Sequence, residues 1–339
     1  MFEDEVRLED ALSEPSQRLC EEAASWRGEL VVLGAGGKMG PTLCRMARRA
    51  ADAAGNPVRV LAVSRWSDEN AARGLREAGV EPVRASLGLS VDLGTLPDAA
   101  NVVYMVGAKF GSAAKPFEAW ATNTVLPALV ARRYASANIV AFSTGNVYPL
   151  VPANSGGCTE RDAPAPVGEY AMSCLGRERM LEHAADEHGT RSAILRLNYA
   201  VEPRYGVLAD LARTIHNGDP VDLETAYVNV VWQRYANEVA LRCLSRVSAP
   251  PLVLNLTGPE TVSVRTIAEQ LADSLGTTPV FTGTAQPTSL LNNAARCHGL
   301  FGYPDVALDT LIEWQAHWLK NGGVLWDKPT KFQRRDGRF

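Results

Sequence analysis

The chain has 339 residues with a formal net charge of −4, 46% hydrophobic and 21% charged residues, the balance of a soluble protein long enough for one large α/β domain and a smaller lobe. It offers no basic field for nucleic acid or anionic lipid and no apolar run of membrane-spanning length. Six scattered cysteines with no Cys-x-x-Cys pair, and five histidines without ligand spacing, argue against a disulfide framework or a metal site; with no cleavable signal, the expected compartment is the cytoplasm.

Residues 1–27 are acidic and mildly amphipathic, with Phe2, Val6, Leu8, Leu12 and Leu19 as apolar positions. They read as a helical extension packed on the surface or on a partner subunit, partial disorder being the alternative. The stretch Glu29–Met46 then organises the chain: an apolar run Leu30–Leu33, a glycine cluster, and an amphipathic pattern. That is a strand buried on both faces, a tight turn, and a helix. Gly34, Gly37 and Gly40 are three apart, where a missing Cβ lets the backbone turn, approach a pyrophosphate and pack the new helix on the sheet. The helix N-terminus, with Lys38 and Met39 beside it, would present N–H groups to the phosphates. The bland alternative is a strand-to-helix turn with no ligand.

A second apolar run, Val58–Val63, ends in Ser64-Arg65. An acidic residue there would bond a ribose 2′-OH, whereas Arg65 suits a 2′-phosphate, so NADP is expected before NAD. Strands are expected at 30–34, 58–63, 81–85, 101–107, 138–143 and 192–198, with helices near 38–54, 68–78, 116–135 and 168–188. Such alternation predicts a Rossmann-type, doubly wound parallel sheet over residues 28–198. Right-handed crossovers bring the glycine turn, Gly107-Ala108, Ser143-Thr144 and the segment after Leu197 to one sheet edge, the expected cleft.

Residues 199–325 read as a smaller mixed substrate lobe that can return elements to the main domain. Within it, helices are expected at 208–217, 234–246 and 262–276, strands at 227–231 and 252–256, and a last amphipathic helix at 307–320. The tail, residues 326–339, is basic, carries Phe332 and Phe339, and is expected to be flexible.

In this order and spacing, several segments resemble the extended short-chain dehydrogenase/reductases, the class of the NAD-dependent epimerase/dehydratase family. They are Gly-Ala-Gly-Gly-Lys-Met-Gly at 34–40, Val-Val-Tyr-Met-Val-Gly-Ala at 102–108, Asn123 in Asn-Thr-Val-Leu-Pro-Ala, and Phe-Ser-Thr-Gly-Asn-Val-Tyr-Pro at 142–149. Thr159–Tyr170, Leu-Arg-Leu at 195–197 with Pro203-Arg204, and Asn-Leu-Thr-Gly-Pro-Glu at 255–260 complete the set. The resemblance implies that Thr144 orients a substrate oxygen while Tyr170 moves its proton. It also implies a dinucleotide on Gly34, Gly37, Lys38, Met39, Gly40, Ser64, Arg65, Gly107, Asn123, Tyr170 and Asn198.

The family pattern is Tyr-x-x-x-Lys, and residue 174 is a cysteine. A phenol of ordinary pKa near ~10 needs a neighbouring ammonium to act as a base at neutral pH, and a thiol supplies none. Three readings stay open: Lys109 or Arg177 fills the gap, the fold binds NADP as a sensor or partner-binding protein without turnover, or Tyr170 serves a reaction without hydride transfer. Cys174 itself reads as a buried inert thiol.

Substrate positions also depart from the family pattern. Thr225-Ala226 stand where nucleotide-sugar epimerases carry a diphosphate arginine, and residues 288–292 are neutral; Arg204, Arg234 and Arg296 are the candidate substitutes. Gly145-Asn146 replace the acidic pair of a dehydratase, Tyr199 a substrate-binding Asn, and Ser86-Leu87 an adenine-contacting Asp-Leu. These departures favour a small sugar, polyol, sugar acid or related carbonyl compound, with a nucleotide-sugar epimerase or dehydratase as an alternative. The resemblance further implies a homodimer built on the helices of Asn123 and Tyr170, through Phe117, Trp120, Leu126, Leu129, Val130, Met172, Leu175 and Met180.

Overall fold

The computed structural model describes residues 1–339. Its centre is one sheet of seven strands: β1 Leu30–Leu33, β2 Val60–Ser64, β3 Glu81–Arg84, β4 Asn101–Tyr104, β5 Asn138–Thr144, β6 Ser192–Leu197 and β7 Leu252–Leu256. They run in the spatial order β7-β6-β5-β4-β1-β2-β3, and every pairing is parallel. The order reverses between β1, which pairs Leu30 with Val60 on one side and Asn101 on the other, and β4. In open parallel sheets a crevice forms at such a reversal, outside the strand C-termini.

Both faces of the sheet are covered, which is why β1 is apolar at every position. Leu30 and Val32 enter one core with Leu43, Met46 and Ala47; Val31 and Leu33 enter the other with Leu126, Val130 and Leu181. The first layer includes helices α3 Gly40–Ala53, α4 Glu69–Glu77, α9 Gln233–Cys243 and α11 Ala295–Phe301, and the second α6 Leu126–Arg133 and α7 Gly168–His188. The helix expected over 116–135 is interrupted: α5 Pro116–Trp120 passes through a widened π turn, Ala121–Val125, into α6.

A second core gathers α8 Val207–His216, α10 Val264–Leu275 and α12 Leu308–Lys320 around Trp232, Leu211 and Leu271. Two elements expected in that lobe instead complete the main layer: α9 packs on α3, and the strand at 252–256 is the sheet's edge strand β7. The expected strand 227–231 is two short pieces, Tyr227–Val228 and Val231–Trp232, because the segment pairs first with Val262–Ser263 and then with Ala200–Val201.

Residues 1–27 form two helices, α1 Glu5–Leu12 and α2 Gln17–Ala23, capped by Asp4 and Ser16. Leu8 and Leu12 enter the second core and Leu19 and Ala23 the first, so the extension clasps the two parts of its own chain. Arg204 holds the clasp through Glu9 at 2.7 Å and Glu5 at 3.4 Å. The tail is also folded down, contrary to the flexible expectation: Thr330, Phe332 and Phe339 are buried. The tail's charges suggest flexibility, but the two rings and Thr330 find a groove to fill.

Candidate active site

The glycine turn lies at the sheet reversal, and the reason for each glycine differs. A Cβ on Gly34 would meet the Val106 backbone nitrogen at 2.9 Å and one on Gly40 the Ala35 carbonyl oxygen at 2.2 Å. Packing alone demands these two. A Cβ on Gly37, which lines the cleft, would meet only the Gly34 carbonyl oxygen, at 3.4 Å. Neither packing nor a positive φ requires glycine there. Helix α3 starts beside this point with Pro41 in its first turn and no side-chain cap, which leaves its N–H groups for an anion.

Two cavities meet at the turn and share Gly34, Gly37, Met105 and Gly107. One, of about 450 Å³, runs past Gly36 to Ser64, Arg65 and Leu87. The other, of about 400 Å³, includes Lys38, Met39, Gly40, Lys109, Thr144, Tyr170 and Asn198. Together they form an elongated trough with one polar end and one end lined by hydroxyls, the shape that a dinucleotide plus a small substrate requires. The residues present therefore fit such a cofactor.

Of the residues expected to hold the dinucleotide, together with Thr144, all but Asn123 line this trough. Asn123 is fully buried behind it. The π turn aims its carboxamide at Ala108, whose N–H it receives at 2.8 Å and whose carbonyl it meets at 2.9 Å, while its amide also donates to Ser173 at 3.0 Å. It fixes the wall Gly107-Ala108 and does not face the cleft. Arg65 is exposed and Ser64 half-buried; Arg65 enters no hydrogen bond or ion pair in the structure. Of the arginines considered for a diphosphate, Arg204 is engaged with Glu202, Glu9 and Glu5, Arg234 with Asp305, and Arg296 with the Val253 carbonyl; none reaches the cleft.

At the reactive end, Thr144 closes β5 and Tyr170 stands in the first turn of α7. The Asn146 backbone N–H and side-chain amide both donate to the Thr144 hydroxyl oxygen, at 3.2 and 2.9 Å. With those lone pairs engaged, the Thr144 proton is free to be donated. Tyr170 and Thr144 line the same cleft, and Cys174 lies one helical turn on from Tyr170. Burial raises the Tyr170 pKa above the ordinary phenol value, Cys174 raises it further, and the Arg177 guanidinium opposes both. Burial likewise raises that of Cys174, so the thiol is neutral and inert.

The two cations weighed from sequence are both close, with different duties. Arg177 donates to the backbone carbonyls of Phe142 and Val106, the latter at 2.9 Å, and to the Asn123 side chain at 3.2 Å. It ties the ends of β4 and β5 together. Lys109 lines the cleft: its Nζ is 5.8 Å from the Tyr170 ring centroid and 3.1 Å from the Thr330 carbonyl oxygen. Burial pulls its pKa down to about 8. Lys38 lies 3.3 Å from the Tyr205 ring centroid, and burial with repulsion from Lys109 and Lys328 lowers it to about 7.

Sequence reasoning missed Thr330, Tyr205 and Phe339. Phe339 meets Tyr170 edge-to-face at 5.5 Å, and only the basic, aromatic character of the tail hinted at such a role. No group of three or more His, Cys, Asp or Glu side chains converges as metal ligands would, and no helix is long and apolar enough to cross a membrane.

No curated protein matches the chain by sequence. Among solved structures, UDP-glucuronic acid 4-epimerase from Bacillus cereus, in complex with UDP-glucuronic acid and NAD, superposes with a TM-score of 0.72 at 18% identity, covering 86% of this chain and 99% of that one. UDP-glucose 4-epimerase from Thermotoga maritima, with UDP-glucose, gives 0.68 at 17% identity over 87% and 99%. MoeE5 with UDP-glucose and NAD gives 0.69 at 20% identity over 87% and 99%. At these identities the likeness is one of fold. The model of the NAD dependent epimerase/dehydratase family matches residues 30–229, more than half of the chain, and with the parallel sheet, the glycine turn and the threonine–tyrosine end of the trough it establishes that this chain belongs to that family.

Proposed function

We propose that this chain is an NAD-dependent enzyme that alters the configuration of a sugar at a secondary alcohol carbon. The observation that carries the reading is the Thr144–Tyr170 hydroxyl pair at the end of a trough whose midpoint, Gly37, is glycine for no reason internal to the fold. NAD, when bound, supplies the hydride acceptor and donor. The loop 34–40 and the α3 N-terminus would hold its pyrophosphate with Lys38, and Ser64 and Arg65 would meet the adenosine ribose. NAD replaces the NADP expected from Arg65: similar structures hold NAD, and an exposed Arg65 without partners is what a solvated surface charge looks like.

Thr144 donates a hydrogen bond to the substrate oxygen. Tyr170 starts as a protonated phenol; it first releases that proton to solvent, which needs positive charge nearby, and as phenolate then accepts the substrate's hydroxyl proton. The resemblance expects that charge from the position of Cys174; we assign it to Lys109, whose ammonium shares the cleft with the phenol, while Arg177 is committed to backbone carbonyls. Asn146 in place of an acidic group favours epimerisation over dehydration.

The solved relatives favour a nucleotide-linked sugar as substrate, in preference to the small free sugar suggested by the missing arginines. A free sugar remains the second reading because the tail occupies the groove beside Tyr170. The test is NMR observation of UDP-glucose, UDP-glucuronic acid and the corresponding free sugars incubated with protein and NAD. Appearance of a second epimer, abolished by Tyr170→Phe, supports the reading; no conversion of any sugar by protein that binds NAD would reject the enzymatic claim.

We also propose a homodimer. Phe117, Trp120 and Met172 are 69%, 38% and 36% exposed on the α5–α7 face, whereas Leu126 and Val130 belong to the core. Light scattering at twice the chain mass, reduced to one by Phe117→Glu with Met172→Glu, is the expected result.

A further inference from the structure

Beside the reactive end, the groove between Tyr148, Tyr199 and Leu290 is filled by the chain's own residues 332–339, and Phe339 joins it to Tyr170 through their edge-to-face contact. What remains is about 30 Å³, lined by Phe332, Arg335 and Phe339 among others. That is room for a water or two, against the several hundred Å³ typical of an organic-ligand site.

The filling segment is built in along its length. Thr330 donates from its N–H at 2.8 Å and its hydroxyl at 2.7 Å to the Asp210 carboxylate, and its carbonyl receives Lys109. The Thr225 hydroxyl donates to the Gln333 carbonyl at 3.2 Å, and Arg335 donates to the Thr288 carbonyl at 2.5 Å and hydroxyl at 2.8 Å. Near its end, the Gly111 N–H donates to the Phe339 carbonyl at 3.0 Å.

Two glycines exist for this contact. A Cβ on Gly168, which opens the tyrosine helix, would meet the Gly337 carbonyl oxygen at 2.5 Å, and one on Gly337 would meet the Val167 carbonyl oxygen at 2.2 Å. Both also have positive φ, +82° and +70°, so the backbones touch where no other residue fits. A segment resting loosely on a surface would impose no such requirement.

We propose that residues Thr330–Phe339 are a specificity-determining strap: seated, they admit a single sugar unit to Tyr170 and exclude a sugar linked to a nucleotide. The strap forms the far wall of the roughly 400 Å³ cleft through Thr330 and, by accepting from Lys109, holds that ammonium in the cleft. The inference rests on the sugar-converting reading of this site and reverses the order of its two substrate classes: the filled groove of this chain is set above the nucleotide-linked sugars of relatives 17–20% identical, in favour of the free sugar.

The test compares the full-length chain with an Arg335→Ala, Phe339→Ala double variant, using calorimetric titration of NAD and then of UDP onto the NAD-saturated protein. NAD should bind both proteins equally; UDP should bind the double variant at least tenfold more tightly than the parent. Tight UDP binding by the parent overturns the proposal, as does equal weakness in both proteins. Hydrogen exchange of the Gly111 amide in the parent is a second measure that needs no variant: protection that persists in millimolar UDP supports the seated strap, and loss of protection overturns it. Failure of NAD to bind the folded parent would instead count against the enzymatic reading, so the two failures are separable.

Discussion

The two ends of the trough are built from different materials. The Gly34–Gly40 end consists of backbone, glycines and a helix terminus, and stays open past Ser64 and Arg65; the Tyr170 end consists of buried side chains and is roofed by the last ten residues. Backbone N–H groups recognise phosphate whatever the remaining sequence, so the first end suits a ligand shared by many proteins. Side chains drawn from β5, α7, the loop after β4 and the tail define the second, and there burial sets the protonation state of each group.

The sharpest break between the ends is Tyr170→Phe. Turnover should fall by about 10²–10⁴-fold, the usual contribution of a positioned acid–base group, while NAD affinity measured by calorimetry stays within twofold. Equal losses in both would merge the two ends into one site and contradict the division.

Glycine substitutions come next. Gly37→Ala should weaken NAD binding by roughly tenfold or more with an unchanged melting temperature, because Gly37 lines the cleft and its Cβ would meet only the Gly34 carbonyl oxygen, at 3.4 Å. Gly40→Ala should instead destabilise the protein by about 1–3 kcal/mol, since its Cβ runs into the Ala35 carbonyl. A thermal melt beside each titration separates the two causes.

Lys109→Met should lower kcat by about tenfold with little change in NAD affinity, the scale on which a neighbouring charge shifts a pKa. The parent's rate should fall as the ammonium is lost above about pH 8, and the variant should lack that break. Its stability should move the other way. Lysine held at about 8 when folded and near ~10.4 when unfolded gives stability that is present above pH ~10.4 and lost as pH falls through 8. The variant should therefore melt higher than the parent below pH 8 and lose that advantage as the pH approaches ~10.4.

The smallest effect belongs to Lys38. With its pKa near 7, binding of an anionic pyrophosphate should draw in a proton, so NAD affinity should weaken a few-fold between about pH 6.5 and 7.5. Calorimetry in buffers of different ionisation heat measures the uptake, which Lys38→Met should remove.

The same contrast explains what was legible in the sequence. Apolar runs, glycine spacing and helical periodicity are local signals, and they located all six strands expected in the main sheet and the helices that carry Gly40 and Tyr170. Where pairing is decided by distant residues the reading slipped: Leu252–Leu256 joined the main sheet because Ser192–Leu197 left an unpaired edge, and Asn229 and Val230 separate two short pairings. Asn123 was legible as a motif and not as a position, since the π turn that points it at Ala108 has no sequence mark. The tail escaped because Thr330, Phe332 and Phe339 fill a groove made by segments distant in the sequence, among them Tyr148, Tyr199 and Leu290, and charge composition alone says nothing of that shape.

A calorimetric titration of NAD into the full-length chain tests the central claim most directly, that a dinucleotide lies across Gly37 and ends at Tyr170. The account predicts a single site per chain, weakened roughly tenfold or more by Gly37→Ala. Absence of binding at millimolar NAD by cooperatively folded protein, or affinity indifferent to Gly37→Ala, would contradict it.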